Sequence, residues 1–380
     1  MFFDIGKAIM DTINTVANTI NEANQANQRN QDGKKPMNDA PHADADSKQE
    51  THRRTSSNFN TQNRYTPSLD FGRVWRFNRS LLSPQDQGLY DAINEATARC
   101  VPSVRFRCSG APDPNYLMQV TLALIEDDPS LFYVDSAITV KTMGDMVELQ
   151  FKYNRYLKDK DGYYQRMKDV AKKVYETRVR NCTTVYDAEL AIHDYLVQTV
   201  TYDKTDDVGA HSPVGPLLDG RGVCEGISEA FCFIASACGI KTSMMSGMLG
   251  NERHRWNILE IDGQRYHLDV TSDLGGLHAF FNCNDEKIRQ THSFEKKSDC
   301  RSMDYNYYKM NNALFNNVND AQEYLMRNAR NVPSSFELML ERKADPNQIG
   351  KAVQMGLRRS ASINIMSSNN GCYRISLASR

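Results

Sequence analysis

The stretch from Asn257 to Val270 constrains the fold of this 380-residue chain more than any other. Two runs of strand-forming residues, 257–261 and 264–270, flank Asp262-Gly263, a strong two-residue hairpin signal. Just ahead lies an apolar segment, 225–240. In it Ile227, Ala230, Phe231, Ile234, Ala235 and Cys238 recur at helical spacing, and Phe233 and Ala237 form a second apolar face. This predicts a largely buried helix followed by an antiparallel hairpin, so the fold class expected is α+β.

Chemistry-bearing residues sit at the ends of these elements. Cys224 opens the apolar helix within Gly222-Val223-Cys224-Glu225-Gly226. At a helix N-terminus the unpaired N–H groups and the macrodipole favour an anion, which lowers the pKa of a thiol. Gly222 and Gly226 let backbone and substrate approach the sulfur, and the Cys224 N–H is a natural oxyanion donor. With Asp262 and Gly263 in the turn, Ile261 pairs with Gln264, Trp256 faces Asp269 and His254 faces Thr271. His254 and Asp269 are then diagonal neighbours on one face. The carboxylate can fix the imidazole tautomer, and the imidazole can take the thiol proton. His267 competes with His254 for the role of base, and Asp273 with Asp269. His254 is preferred, with His267 in a supporting or structural role, and Asp273 lies beyond the paired stretch. Cys232 and Cys238 read as core, His278 and His292 as packing or surface residues.

These residues resemble the transglutaminase-like superfamily, whose members share a papain-like core with a Cys-His-Asp triad. The matching pieces are Tyr202-Asp203, Leu217-Leu218-Asp219-Gly220-Arg221-Gly222-Val223-Cys224-Glu225-Gly226, His254-Arg255-Trp256-Asn257 and Tyr266-His267-Leu268-Asp269-Val270-Thr271. Phe280-Phe281-Asn282 and Asp285-Glu286-Lys287-Ile288-Arg289 also fit the family's next strand and helix, and Asp127-Asp128-Pro129 resembles an N-terminal extension of bacterial members. The resemblance implies Cys224 as nucleophile, His254 as base and Asp269 as its orienter. The chain departs from the pattern at Ser272, where many members have Trp, and at Leu274-Gly275, where Asp-Pro is common. It departs again at Val214, where an aromatic often precedes the cysteine. Val214, Gly222, Gly226 and Trp256 are the groove and oxyanion candidates.

The remaining sequence bounds the function. A net charge of −1 without a long basic run argues against nucleic-acid binding. No stretch reaches the roughly 18 apolar residues of a membrane span. Asp4, Lys7 and Asp11 interrupt what would be the apolar core of a signal peptide. A cytoplasmic location, or export without a cleavable signal, is therefore expected. Nine cysteines without Cys-x-x-Cys spacing give no zinc-site pattern. The chemistry calls for no metal or cofactor.

Five segments are expected: an amphipathic helix at 1–25, a disordered polar linker at 26–70, an N-terminal α/β extension at 71–180, a catalytic core at 181–310 and a C-terminal α/β appendage at 311–380. The first helix carries a stripe of Phe2, Ile5, Ile9, Met10, Ile13, Val16 and Ile20, suited to docking on the parent domain, self-association or a partner. In the linker, His42, Asp44 and Asp46 alternate without forming a convincing metal site. The expected function is thiol-dependent acyl transfer on peptide or protein amides, with hydrolysis as the leading outcome, as in a cysteine peptidase. Glutamine crosslinking or deamidation is the first alternative. The second is a binding or scaffold module that kept the fold.

Overall fold

The computed structural model describes residues 65–107, 113–205, 207–357 and 362–378. The amphipathic helix expected at 1–25, most of the linker, and His42, Asp44 and Asp46 lie outside the described residues.

The fold is α+β, with helices packed on mainly antiparallel sheets. An N-terminal layer begins with helix Pro84–Ala98, where Ser83 accepts a hydrogen bond from the Asp86 N–H and Pro84 takes the first helical position. Strand Ser103–Arg107 joins the hairpin strands Val134–Met143 and Met146–Tyr153 in a three-stranded antiparallel sheet. Helix Pro114–Asp127 packs against this layer and ends at a buried acidic hub. Asp127 accepts hydrogen bonds from the N–H groups of Asn78 and Arg79, from Ser243 Oγ and from Tyr90. Those contacts tie the N-terminal layer to strand Lys241–Leu249.

Helix Cys224–Ala237 is the buried axis of the molecule; every residue from Gly226 to Ala237 is buried. It stops three residues earlier than its apolar pattern predicts. Gly239 adopts φ +88° and its N–H bonds Ser236 O, which unwinds the last turn. One apolar cluster runs from Leu89 and Leu124 through Ile192 and Phe231 to Phe281, so the N-terminal layer and the Cys224 helix share a core. Beside that helix lies a second antiparallel sheet, in the order Gln264–Leu268, Glu252–Ile261, Lys241–Leu249, His292–Ser293.

The C-terminal region forms a third sheet, with strands Ser335–Leu340, Cys372–Ala378 and Ser362–Ser367 covered by helices Val318–Asn328 and Pro346–Leu357. Met339 and Cys372 of this region pack in one cluster with Trp256, Phe280 and Ile288. Lys287 Nζ donates to Asn370 O at 2.5 Å, and Asn370 Nδ2 donates to Ala279 O at 2.6 Å. Among the described residues no helix is long and apolar enough to cross a membrane.

Candidate active site

Cys224 is the first residue of its helix, after Val223 in extended conformation at the N-cap. It is positioned by a short parallel pairing of Arg221–Gly222 with Thr201–Tyr202. The glycines beside it make room for the protein's own backbone. A Cβ on Gly226 would stand 2.4 Å from Ala210 O and 2.7 Å from Ser212 O, and one on Gly222 would stand 2.7 Å from the Pro216 ring. The expectation that these glycines open a path for substrate is therefore revised: the loop at 210–212 fills that space.

His254 lies in strand Glu252–Ile261, opposite Gly247. The hairpin has the expected register from Ile261↔Gln264 to Asn257↔Leu268, and there the ladder ends. Trp256 therefore does not pair with Asp269, nor His254 with Thr271. Asp269 leaves the sheet to cap the single turn Val270–Asp273, its Oδ1 accepting from the Ser272 N–H at 3.1 Å. Its N–H is held by Phe280 O at 3.2 Å. From that position Asp269 Oδ2 meets His254 Nε2 at 2.9 Å. With Nε2 engaged, Nδ1 is the nitrogen left for Cys224, whose thiolate His254 favours. The three side chains are thus linked, His254 to Asp269 by a hydrogen bond and Cys224 to His254 electrostatically.

Burial resists charge on every member of this chain, and the neighbours overcome it. It is the largest single influence on Cys224 and opposes the thiolate. The hydrogen bond and charge of His254, with the Arg255 backbone N–H, nevertheless hold the thiol below its ordinary value. Burial likewise opposes the imidazolium, yet the charge and hydrogen bond of Asp269, followed by Cys224, raise His254 to about 10. Asp269 is held far below the carboxylate range against its own burial, by His254 first and then by His292. The arrangement favours a thiolate–imidazolium pair over a neutral one.

Four neighbours complete the site. Ser272 Oγ donates to Asp269 Oδ2, so the residue standing where many family members have Trp supports the carboxylate directly. His292, expected to be a packing or surface residue, is 3% exposed with Nε2 3.1 Å from Asp269 Oδ2. Its Nδ1 is engaged by Thr291 Oγ1 at 2.9 Å, which leaves Nε2–H to donate to the carboxylate. Arg255 points to the opposite side of the strand. It pairs with Glu225 at 2.7 Å and Glu229 at 3.3 Å, clamping the His254 strand to the Cys224 helix. Asn257 Nδ2 adds a hydrogen bond to Ser228 O at 2.9 Å. Spacing in the sequence carries a signal for Ser272, which stands three residues after Asp269. It carries none for His292, which arrives from a distant strand.

The other candidates lie elsewhere. His267 is fully buried, with Nδ1 accepting from the Trp256 indole N–H at 3.0 Å and Nε2 bonded to Asp285 Oδ1 at 2.8 Å. Burial first of all pushes its pKa down, so it is a neutral support for Trp256. Trp256 has thereby spent its only donor and is not available to an oxyanion. Val214 is 2% exposed within the core and lines no groove. Asp273 pairs with His193 at 3.3 Å. Cys232 and Cys238 are buried, and burial pushes both thiols up.

Residues 145–279, which contain Cys224, His254 and Asp269, match the model of the transglutaminase-like superfamily core. The chain carries a transglutaminase-like domain. Similar solved structures include a candidate cysteine protease from Cytophaga hutchinsonii, with 13% identity and a TM-score of 0.25 over 36% of this chain and 61% of that one. A structure described as a TGase has 15% identity and a TM-score of 0.25, over 45% and 52% of the two chains. A candidate protease from Parabacteroides distasonis has 11% identity and a TM-score of 0.23, over 36% and 35%. The chain thus spans less than two thirds of each of these proteins. No curated protein matches it.

Proposed function

We propose that the transglutaminase-like domain catalyses thiol-dependent acyl transfer from peptide or protein amides, with water as acceptor. The observation that carries this reading is Cys224 at a helix N-terminus, its thiolate favoured by a His254 that is hydrogen-bonded to Asp269. In the proposed reaction the Cys224 thiolate adds to the amide carbonyl carbon, with the Cys224 N–H placed to bind the oxyanion. The C–N bond breaks as His254 gives its proton to the departing amine, leaving a thioester. His254 then takes a proton from water, the hydroxide adds to the thioester, and the C–S bond breaks to release the acid and restore the thiolate. Asp269 holds the tautomer of His254 and stabilises its charged form throughout. Cys224 is partly exposed, which is compatible with water as acceptor.

The scaffold reading drew its support from the departures at Val214 and Ser272. Ser272 supports Asp269 rather than disabling it, so that departure is compatible with an active site.

The test is to incubate the full chain with a mixed protein substrate and a fluorescent primary amine, and to measure three products in parallel. New amino termini, lost in Cys224→Ala, are expected. Amine incorporation without cleavage would make the protein a crosslinking enzyme, and ammonia release alone a deamidase. No Cys224-dependent product of any kind would contradict the proposal.

A further inference from the structure

Remote from Cys224 in the sequence, a second group of side chains converges beside helix Val185–Thr199. His193 and Asp194 are consecutive on that helix, and His278 reaches them from the loop after Asp273. Asp194 Oδ1 lies 2.9 Å from His193 Nδ1 and 3.0 Å from His278 Nε2. One nitrogen or oxygen from each residue falls within 4.8 Å of the other two. Each imidazole is gripped at its far nitrogen by a further carboxylate. His193 Nε2 is 3.3 Å from Asp273 Oδ2, and His278 Nδ1 is 3.2 Å from Glu337 Oε2. The Tyr307 ring stacks on His278 at 3.7 Å between centroids. The His193 side chain is 1% exposed and that of His278 12%, whereas Asp194 is 35% exposed and gives the group an opening to solvent.

We propose that His193, Asp194 and His278 form a binding site for a divalent metal ion of the zinc class, a revision of the expectation that this chain needs no metal. Two imidazoles and one carboxylate are a donor set that suits zinc and its neighbours and leaves a coordination position for water. Histidines that bind metal donate their other N–H to a carboxylate or carbonyl, which fixes the tautomer. Here Asp273 and Glu337 do so for both rings, aiming Nδ1 of His193 and Nε2 of His278 at the same place. The two ring centroids are 5.1 Å apart, with Asp194 Oδ1 within hydrogen-bond distance of the facing nitrogen of each. The group His267, Asp285 and Cys300 is geometrically similar. There the Trp256 indole N–H occupies His267 Nδ1, so Nε2 carries the proton and has no lone pair for a metal. Glu337 belongs to strand Ser335–Leu340 and is also held by Tyr308 and Arg374. Metal binding would thus tie the catalytic region to the C-terminal sheet.

The test uses the full chain carrying Cys224→Ala, which removes a competing thiol and makes the outcome independent of the proposed acyl transfer. Zn²⁺ is titrated calorimetrically, and Co²⁺ is followed by its visible absorption. His193 is wholly buried and its replacement endangers the fold, so Asp194→Asn and His278→Gln carry the test, with circular dichroism confirming folded protein. The expected result is one Zn²⁺ per chain, weakened about 100-fold or more in either variant and about 10- to 100-fold in Glu337→Gln. Thermal unfolding of the parent should shift upward with Zn²⁺, and that of folded Asp194→Asn should not. No stoichiometric binding, or binding indifferent to both ligand substitutions, would overturn the proposal.

Discussion

At the scale of single residues, the carboxylate of Asp269 is the crowded point of the site. His254, His292 and Ser272 all donate to its Oδ2, and all three depend on its charge. Asp269→Asn should lower kcat by about 10²- to 10⁴-fold, since the amide can set the wrong imidazole tautomer. Ser272→Ala should cost about tenfold in kcat/KM, the scale of one lost hydrogen bond to a charged group. Steady-state kinetics on one substrate checks both, and equal values for Ser272→Ala and wild type would count against its role. Stability should carry the same signature. The folded-state pKa of His254 is raised to about 10. The stabilisation it supplies is therefore complete below its unfolded value of about 6.5 and fades as pH rises from there through about 10. Asp269 is depressed, so its contribution is present above about pH 3.9 and is lost on acidification. Urea midpoints measured from pH 6 to 10 should fall in the wild type, and fall less in Asp269→Asn.

At the scale of elements, the site depends on how one helix and one strand are held together. Arg255 is the buried clamp between them. Removing one partner of a buried ion pair costs about 3–5 kcal/mol. Arg255→Met should fall near the lower end, because Glu225 keeps His211 at 3.1 Å and some solvent contact. Gly226 poses a conflict of signs. Helix propensity favours alanine over glycine by about 1 kcal/mol, but the added Cβ would meet backbone oxygens at 2.4 and 2.7 Å. Backbone cannot rotate away, so Gly226→Ala should lower the urea midpoint, and an unchanged or raised midpoint would contradict the packing described. The helix Cys224–Ala237 and the turn at Asp262-Gly263 were legible in the sequence because local periodicity and turn chemistry determine them. Asp269's departure from the ladder was less legible. Strand alternation predicts Trp256 opposite Asp269, whereas the Asp-x-x-Ser cap pulls the chain out of the sheet one residue earlier.

At the scale of the whole molecule, the N-terminal layer and the transglutaminase-like domain share one core, and the C-terminal sheet packs Met339 and Cys372 beneath Trp256 and Phe280. Local sequence pattern carries a signal for helices such as Pro346–Leu357. It offered no signal for what they touch, because Lys287–Asn370 and His278–Glu337 join residues far apart in the chain. For the same reason His292 was not seen as part of the site. Deleting 311–380 should expose the apolar cluster around Met339 and increase binding of a hydrophobic dye; no change in dye binding would mean that this region docks only loosely. The central claim is that the assembled fold turns Cys224 into a thiolate by means of His254. The direct measurement is the rate of Cys224 alkylation against pH, read by mass spectrometry in wild type and in His254→Ala. The prediction is a reactive thiolate persisting well below pH 7 in the wild type, with the midpoint moving up to about 8.5 or higher in the variant. A wild-type midpoint already near about 8.5, unmoved by His254→Ala, would contradict it.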